Sequence, residues 1–210
     1  MMMDDLQIIE LGRRVVAREA QAVAAVAEQL GDSLAHVARL LANCQGHILV
    51  TGAGTSAAVA RRLAHLLSCC GAPALPLDAS DGLHGGSGAI TAHDLVYAIS
   101  KGGRSAEINQ LAEIAKKRGA RLIAQTETLH SPLAALCDEL LLVRAPAEAD
   151  LLGGLVALGS SLMNCAVGDA LCAIILELKG YSREAFAQTH PGGDVGRKLA
   201  DVMTDAKETR

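Results

Sequence analysis

Residues 94–108 read DLVYAISKGGRSAEI. A short apolar run (94–100) ends in a glycine-rich turn, and an amphipathic segment begins at Ser105 and continues to about Arg118. The order is strand, tight turn, helix. The same design stands upstream in HILVTGAGTSA, where residues 47–52 are a β-prone run and a helix follows from about Thr55 to Cys70. ALPL (74–77), RLIAQT (121–126) and ELLLV (139–143) supply three more short apolar runs, with a helical turn at SPLAAL (131–136). Unbroken apolar strands alternating with helices signify parallel pairing with both sheet faces covered. The expected fold is therefore α/β: a doubly wound, three-layer arrangement around a five-stranded parallel sheet.

Outside that region the periodicity predicts one helix over residues 4–30 and a second over 34–44, wrapping the domain or a partner subunit. A long apolar helix is expected from about 151 to 178. Asn164, Asp169 and Glu177 interrupt it, which favours a buried or dimer-packing helix over a membrane span. The tail 181–201 places HPGG between two short helices.

Composition limits the function. The chain has 210 residues, half of them hydrophobic, a net charge of −4, and only two Tyr, one Phe and no Trp. Few aromatics and a mildly acidic balance argue against nucleic-acid binding. The six cysteines, Cys44, Cys69, Cys70, Cys137, Cys165 and Cys172, form no zinc-ligand spacing and read as reduced thiols of a cytoplasmic protein. The acidic N-terminus lacks the pattern of a signal peptide.

In a doubly wound sheet, ligands bind at the carboxyl ends of the strands. The first turn there, Gly52-Ala53-Gly54-Thr55-Ser56, brings backbone N–H groups and hydroxyls to a helix N-terminus, where an anion is favoured. The second, Ser100-Lys101-Gly102-Gly103-Arg104-Ser105, repeats the design and adds two cations. Two such turns on neighbouring strands converge on one phosphate. Each has a plainer reading, as a capped turn with solvated charges. A nucleotide enzyme on the same topology stays open: Ala57 is a tolerated variant of the third fingerprint glycine, and Asp78 stands where a ribose contact would fall. His84 in GLHGGSG and His190 in THPGG lie in glycine-rich loops and are candidates for proton handling. Glu148, ahead of the long apolar helix, is either a helix-start carboxylate or a general base.

From about residue 30 to 202 the chain resembles the sugar isomerase (SIS) domain, and within it the arabinose-5-phosphate isomerase branch. The resemblance rests on GAGTSA (52–57), GLHGG (82–86), residues 94–108, SS…GDAL (160–171) and GYSREAFAQTHPGGDVGRKLADVM (180–203). It implies a flavodoxin-like sandwich that binds a phosphosugar, associates into dimers or tetramers, and interconverts aldose and ketose phosphates through an enediolate without a redox cofactor or metal. On this basis residues 1–45 are helices packing on the domain or a partner, 46–203 the SIS domain, and 204–210 a tail. The implied phosphate cradle comprises Gly54, Thr55, Ser56, Ser100, Lys101, Gly103, Arg104 and Ser105, with Ser56, Ser100 and Ser105 giving hydroxyls. The implied catalytic residues are Glu148, His84 and His190, the last contributed across a subunit interface. Thr55 replaces the branch's usual Lys, and Lys101, Gly102 and Arg104 replace its Asn, Ser and Glu. The final residues, DVMTDAKETR, resemble the beginning of a CBS domain. A phosphosugar-binding regulatory protein without catalysis is the competing function.

Overall fold

Ile48–Gly52 (β1), Ala74–Pro76 (β2), Leu95–Ile99 (β3), Arg121–Thr126 (β4) and Glu139–Leu142 (β5) form one parallel sheet in the order β2-β1-β3-β4-β5. The structure, a computed structural model, describes residues 3–208, with side chains described to residue 200. The strand order reverses direction between β1 and β3, which opens a crevice at their carboxyl ends.

The side-chain alternation of buried strands feeds two cores. Ile48, Val50, Tyr97, Ile99 and Ile123 pack on one face with residues of Asp32–Ala42 (α2), Thr55–Cys69 (α3) and Gly159–Lys179 (α7). Leu49, Val96, Ala98, Leu122 and Ala124 pack on the other with Ala79–Leu83 (α4), Ala106–Lys117 (α5) and Pro132–Leu136 (α6). This is the expected three-layer sandwich.

Three elements differ from expectation. The first helix, Asp5–Ala24 (α1), stops early, and a separate 3₁₀ turn follows at Ala27–Gln29. Gln29 ends the run by anchoring elsewhere: its amide donates to the Ala25 and Arg144 carbonyls and accepts from the Arg144 N–H. The helix expected from 151 begins only at Gly159. Leu152, Gly153 and Gly154 take left-handed backbone conformations, and Leu151 pairs with Val156, so residues 151–158 form a folded loop. In the tail, Arg183–Thr189 (α8) is short as expected, but Gly193–Glu208 (α9) is long and includes most of the expected tail 204–210; Thr209 and Arg210 lie outside the described residues.

α7 is long and apolar enough to cross a membrane by length and composition. Met163, Val167, Leu171 and Ile175 on one face are buried in the core, as expected of a packing helix. All six cysteines are free thiols, with Cys70 and Cys172 buried.

At the amino ends of the strands, buried Asp94 ties β3 to β1. Its carboxylate accepts from the His47 N–H (2.7 Å) and from the N–H (2.7 Å) and hydroxyl (2.9 Å) of Thr91. Burial opposes ionisation, but these donors outweigh it and hold the carboxyl below its ordinary value. Its contribution is therefore present above about pH 4 and fades as acid protonates it. Asp94→Ala is expected to cost about 2 kcal/mol or more in chemical unfolding at neutral pH. The wild-type advantage over that variant should shrink as the pH falls below about 4.

Candidate functional site

The turn between β1 and α3 is shaped by two glycines. A side chain at Gly52 would collide with the Ser56 backbone, and Gly54 sits at φ 57°. The α3 N-terminus has no side-chain cap. The turn between β3 and α5 repeats this arrangement: Gly103 sits at φ 62°, and Ser105 precedes α5 without a side-chain cap bond. By contrast, Asp4, Asp78, Ser131 and Ser182 cap α1, α4, α6 and α8 with their side chains. The two helices that open on the crevice thus start without a side-chain cap. At α3 the Ser56 and Ala57 N–H groups reach the Ala53 and Gly54 carbonyls, while the Ala106 and Glu107 N–H groups of α5 have no acceptor among the described residues.

The second turn is held from three sides. The Lys101 carbonyl accepts from the Thr126 hydroxyl (2.9 Å) and the Glu127 N–H (3.0 Å), and the Gly103 carbonyl accepts from the Leu133 N–H (3.2 Å). Such a frame fixes where its hydroxyls and amides point. One hollow of about 460 Å³ lies between the turns. Thr55 and Ser56 line it from the first, Ser100, Lys101, Arg104 and Ser105 from the second, and Ala157 from the loop before α7. Its size suits a small phosphorylated metabolite.

Lys101 does not face this hollow as a free cation. Its ammonium donates to the buried Asp150 carboxylate (2.5 Å) and to the Gly154 carbonyl (3.3 Å). The same carboxylate accepts the Leu158 and Ser160 N–H groups, so Asp150 caps α7 from within the preceding loop. Burial opposes its ionisation, but Lys101 and Ser160 more than offset it and hold the carboxyl below its ordinary value. Nearby, burial pushes the Glu127 carboxyl up, against the attraction of Lys101. Arg104 makes no ion pair among the described residues.

The expected phosphate residues are therefore gathered: Thr55, Ser56, Ser100, Lys101, Arg104 and Ser105 line the hollow, while Gly54 and Gly103 shape its turns. The expected catalytic residues do not join them within one chain. Glu148 stands in an exposed turn, and the helix-start role considered for it belongs to Asp150. His84 is exposed at the end of α4. His190 stacks on Phe186 at 3.8 Å and approaches the Cys69 sulfur (3.4 Å) at the far end of α3. That end is about 20 Å from the Thr55 end of the same helix. Asp78 is occupied as the α4 cap, accepting the Ser80 and Asp81 N–H groups, which gives it a structural task in place of a ribose contact. Asp150, Glu127 and Asn164 were not anticipated at the site. Asn164 lines a small recess adjoining the hollow.

A family model for the SIS domain matches residues 40–184. The chain belongs to the SIS domain family. Arabinose 5-phosphate isomerase KdsD of Pseudomonas aeruginosa is 34% identical over 204 residues, covering 97% of this SIS chain and 62% of the relative. The chain thus spans a little under two thirds of that relative's length. Among solved structures, Escherichia coli CFT073 c3406 in complex with arabinose 5-phosphate is similar at a TM-score of 0.85 and 33% identity, covering 90% of this chain and 100% of the other. A Listeria monocytogenes structure aligns with a TM-score of 0.87 and 31% identity, covering 91% and 100%.

The Asp150 clasp generates a stability prediction. Asp150→Ala in this SIS domain removes the acceptor for Lys101 and for two backbone N–H groups. It should lower the unfolding free energy by about 3 kcal/mol and make residues 151–158 sensitive to protease. Equilibrium unfolding and limited proteolysis check this.

Proposed function

We propose that this SIS domain is an aldose–ketose isomerase of phosphosugars that works through an enediolate on a substrate like arabinose 5-phosphate. The supporting observation is the single hollow into which two uncapped helix N-termini and the hydroxyls of Ser56, Ser100 and Ser105 open. A phosphate ester there accepts from the first-turn N–H groups of α5 and from the hydroxyls, and the two helix ends and Arg104 offset its charge. The sugar then extends along the hollow, with binding energy gathered at the phosphate and used to position carbons some bonds away.

In the proposed reaction a base removes the proton beside the aldehyde carbon. The resulting enediolate takes a proton at the neighbouring carbon, and the hydroxyl proton moves between the oxygens. Hydrogen travels as a proton, so the chemistry requires no hydride acceptor. Glu148 is the proposed base, and His190 the group that opens the ring by protonating its oxygen. His84 and His190 would reach the hollow from a neighbouring copy of the chain. Exposed Leu6, Ile9 and Val16 on α1 and Leu152 and Leu155 beside the hollow offer apolar surface for such self-association. The free thiols suit a cytoplasmic setting.

A second reading, a phosphosugar-responsive binding module, is favoured by one observation: none of the three proposed proton-transfer residues lines the hollow of its own chain. Proton NMR in deuterated water with arabinose 5-phosphate separates the two. The isomerase should form the ketose and incorporate deuterium at the carbons that exchange protons; binding without incorporation would establish the module. Ser100→Ala and Ser105→Ala should each weaken arabinose 5-phosphate binding by about 1–3 kcal/mol in calorimetric titration. Unchanged affinity in both would place the phosphate elsewhere.

A further inference from the structure

Tyr97 on β3 and Gln125 on β4 are both completely buried on the sheet face that carries α7. The Tyr97 hydroxyl donates to Gln125 Oε1 (2.6 Å), and Gln125 Nε2 donates to Asn164 Oδ1 on α7 (2.6 Å). The direction of this chain has a physical cause. A buried hydroxyl needs an acceptor, and Gln125 Oε1 is the one the described residues provide. Turning the Gln125 amide over would leave that hydroxyl without one. Burial also raises the Tyr97 phenol above its ordinary pKa, so it stays a donor.

One polarity therefore passes from the sheet interior to the site wall. With its oxygen turned to Gln125, Asn164 directs its amide N–H groups the other way. These have no protein acceptor among the described residues. Asn164 lines a recess of about 20 Å³ together with Thr55, Ser56, Lys101, Ala157 and Ser160. Thr55, Ser56, Lys101 and Ala157 also line the main hollow, so the recess is its inner continuation. Its volume accommodates about one oxygen atom.

We propose that Asn164 is a substrate-binding donor that hydrogen-bonds an acceptor oxygen of the bound phosphosugar, with Tyr97 and Gln125 as positioning residues that keep its N–H groups turned toward the site. The inference rests on the phosphosugar reading given above. In that reaction the oxygen at the reacting carbon gains negative charge on the way to the enediolate. A donor fixed beforehand stabilises this charge without reorganising. The relay supplies that fixity, because turning the Asn164 amide over either breaks its bond to Gln125 or, if Gln125 turns with it, leaves the buried Tyr97 hydroxyl without an acceptor.

The test compares two probes, arabinose 5-phosphate and inorganic phosphate, by calorimetric titration. The wild type should bind the sugar phosphate more tightly than phosphate. Asn164→Ala should weaken sugar-phosphate binding at least about 10-fold while leaving phosphate within about 2-fold. Tyr97→Phe should shift the same ratio by about 3-fold, because both amides can then turn over. A purely structural role would instead lower the thermal midpoint with the ratio unchanged, and that result in both variants overturns the proposal. If Asn164→Ala does not fold, Tyr97→Phe decides, since it deletes a single buried oxygen. A wild type that binds phosphate but shows no preference for the sugar phosphate removes the phosphosugar reading, and this inference with it. A preference untouched by the variants removes this inference alone.

Discussion

No side chain caps α3 or α5, so the positive ends of both helices lack a local partner, even though Ser56 and Ala57 of α3 reach backbone carbonyls within their turn. This shared deficit dominates the molecule. Elsewhere the chain caps α1, α4, α6 and α8 with local side chains and α7 with the remote Asp150, while α2 starts uncapped at Gly31. At the β1–β3 crossover it leaves two starts open side by side and surrounds them with hydroxyls. The sheet order places them together, and the glycines of both turns keep the backbone bare. An oxyanion is the ligand that such an arrangement fits best.

The rest of the site follows from how charge is distributed around that opening. Lys101 could have been the principal phosphate contact, but Asp150 neutralises it and makes it part of a clasp. The clasp holds a loop whose backbone includes three successive left-handed residues and whose leucines face outward. The positive character of the hollow therefore comes from helix ends and Arg104. That distribution differs from the lysine-bearing first turn usual in the branch that the chain resembles, where this chain has Thr55.

The sheet was legible in the sequence because buried parallel strands write themselves as continuous apolar runs. The two glycine-rich turns that line the hollow were legible because glycine, serine and threonine gather at both strand–helix junctions. The boundaries of α1 and α7 were not, since their causes are long-range: Gln29 reaches Arg144, and Asp150 reaches Lys101. Periodicity carries no information about either contact. Glu148 drew attention by its position along the chain, while the carboxylate two residues later does the structural work because it is buried. Asn164 was visible as a polar residue in an apolar stretch, a fact that argued against a membrane span. Its partners on β3 and β4, which give it a direction, emerge only once α7 lies on the sheet.

The most direct test of this account is to locate the phosphorus atom of arabinose 5-phosphate in a crystal of the complex. The account predicts it between the N-termini of α3 and α5, within hydrogen-bond reach of Ser56, Ser100 and Ser105. Phosphorus found instead in the separate hollow lined by Arg61, Asp78 and Asp81 would contradict it.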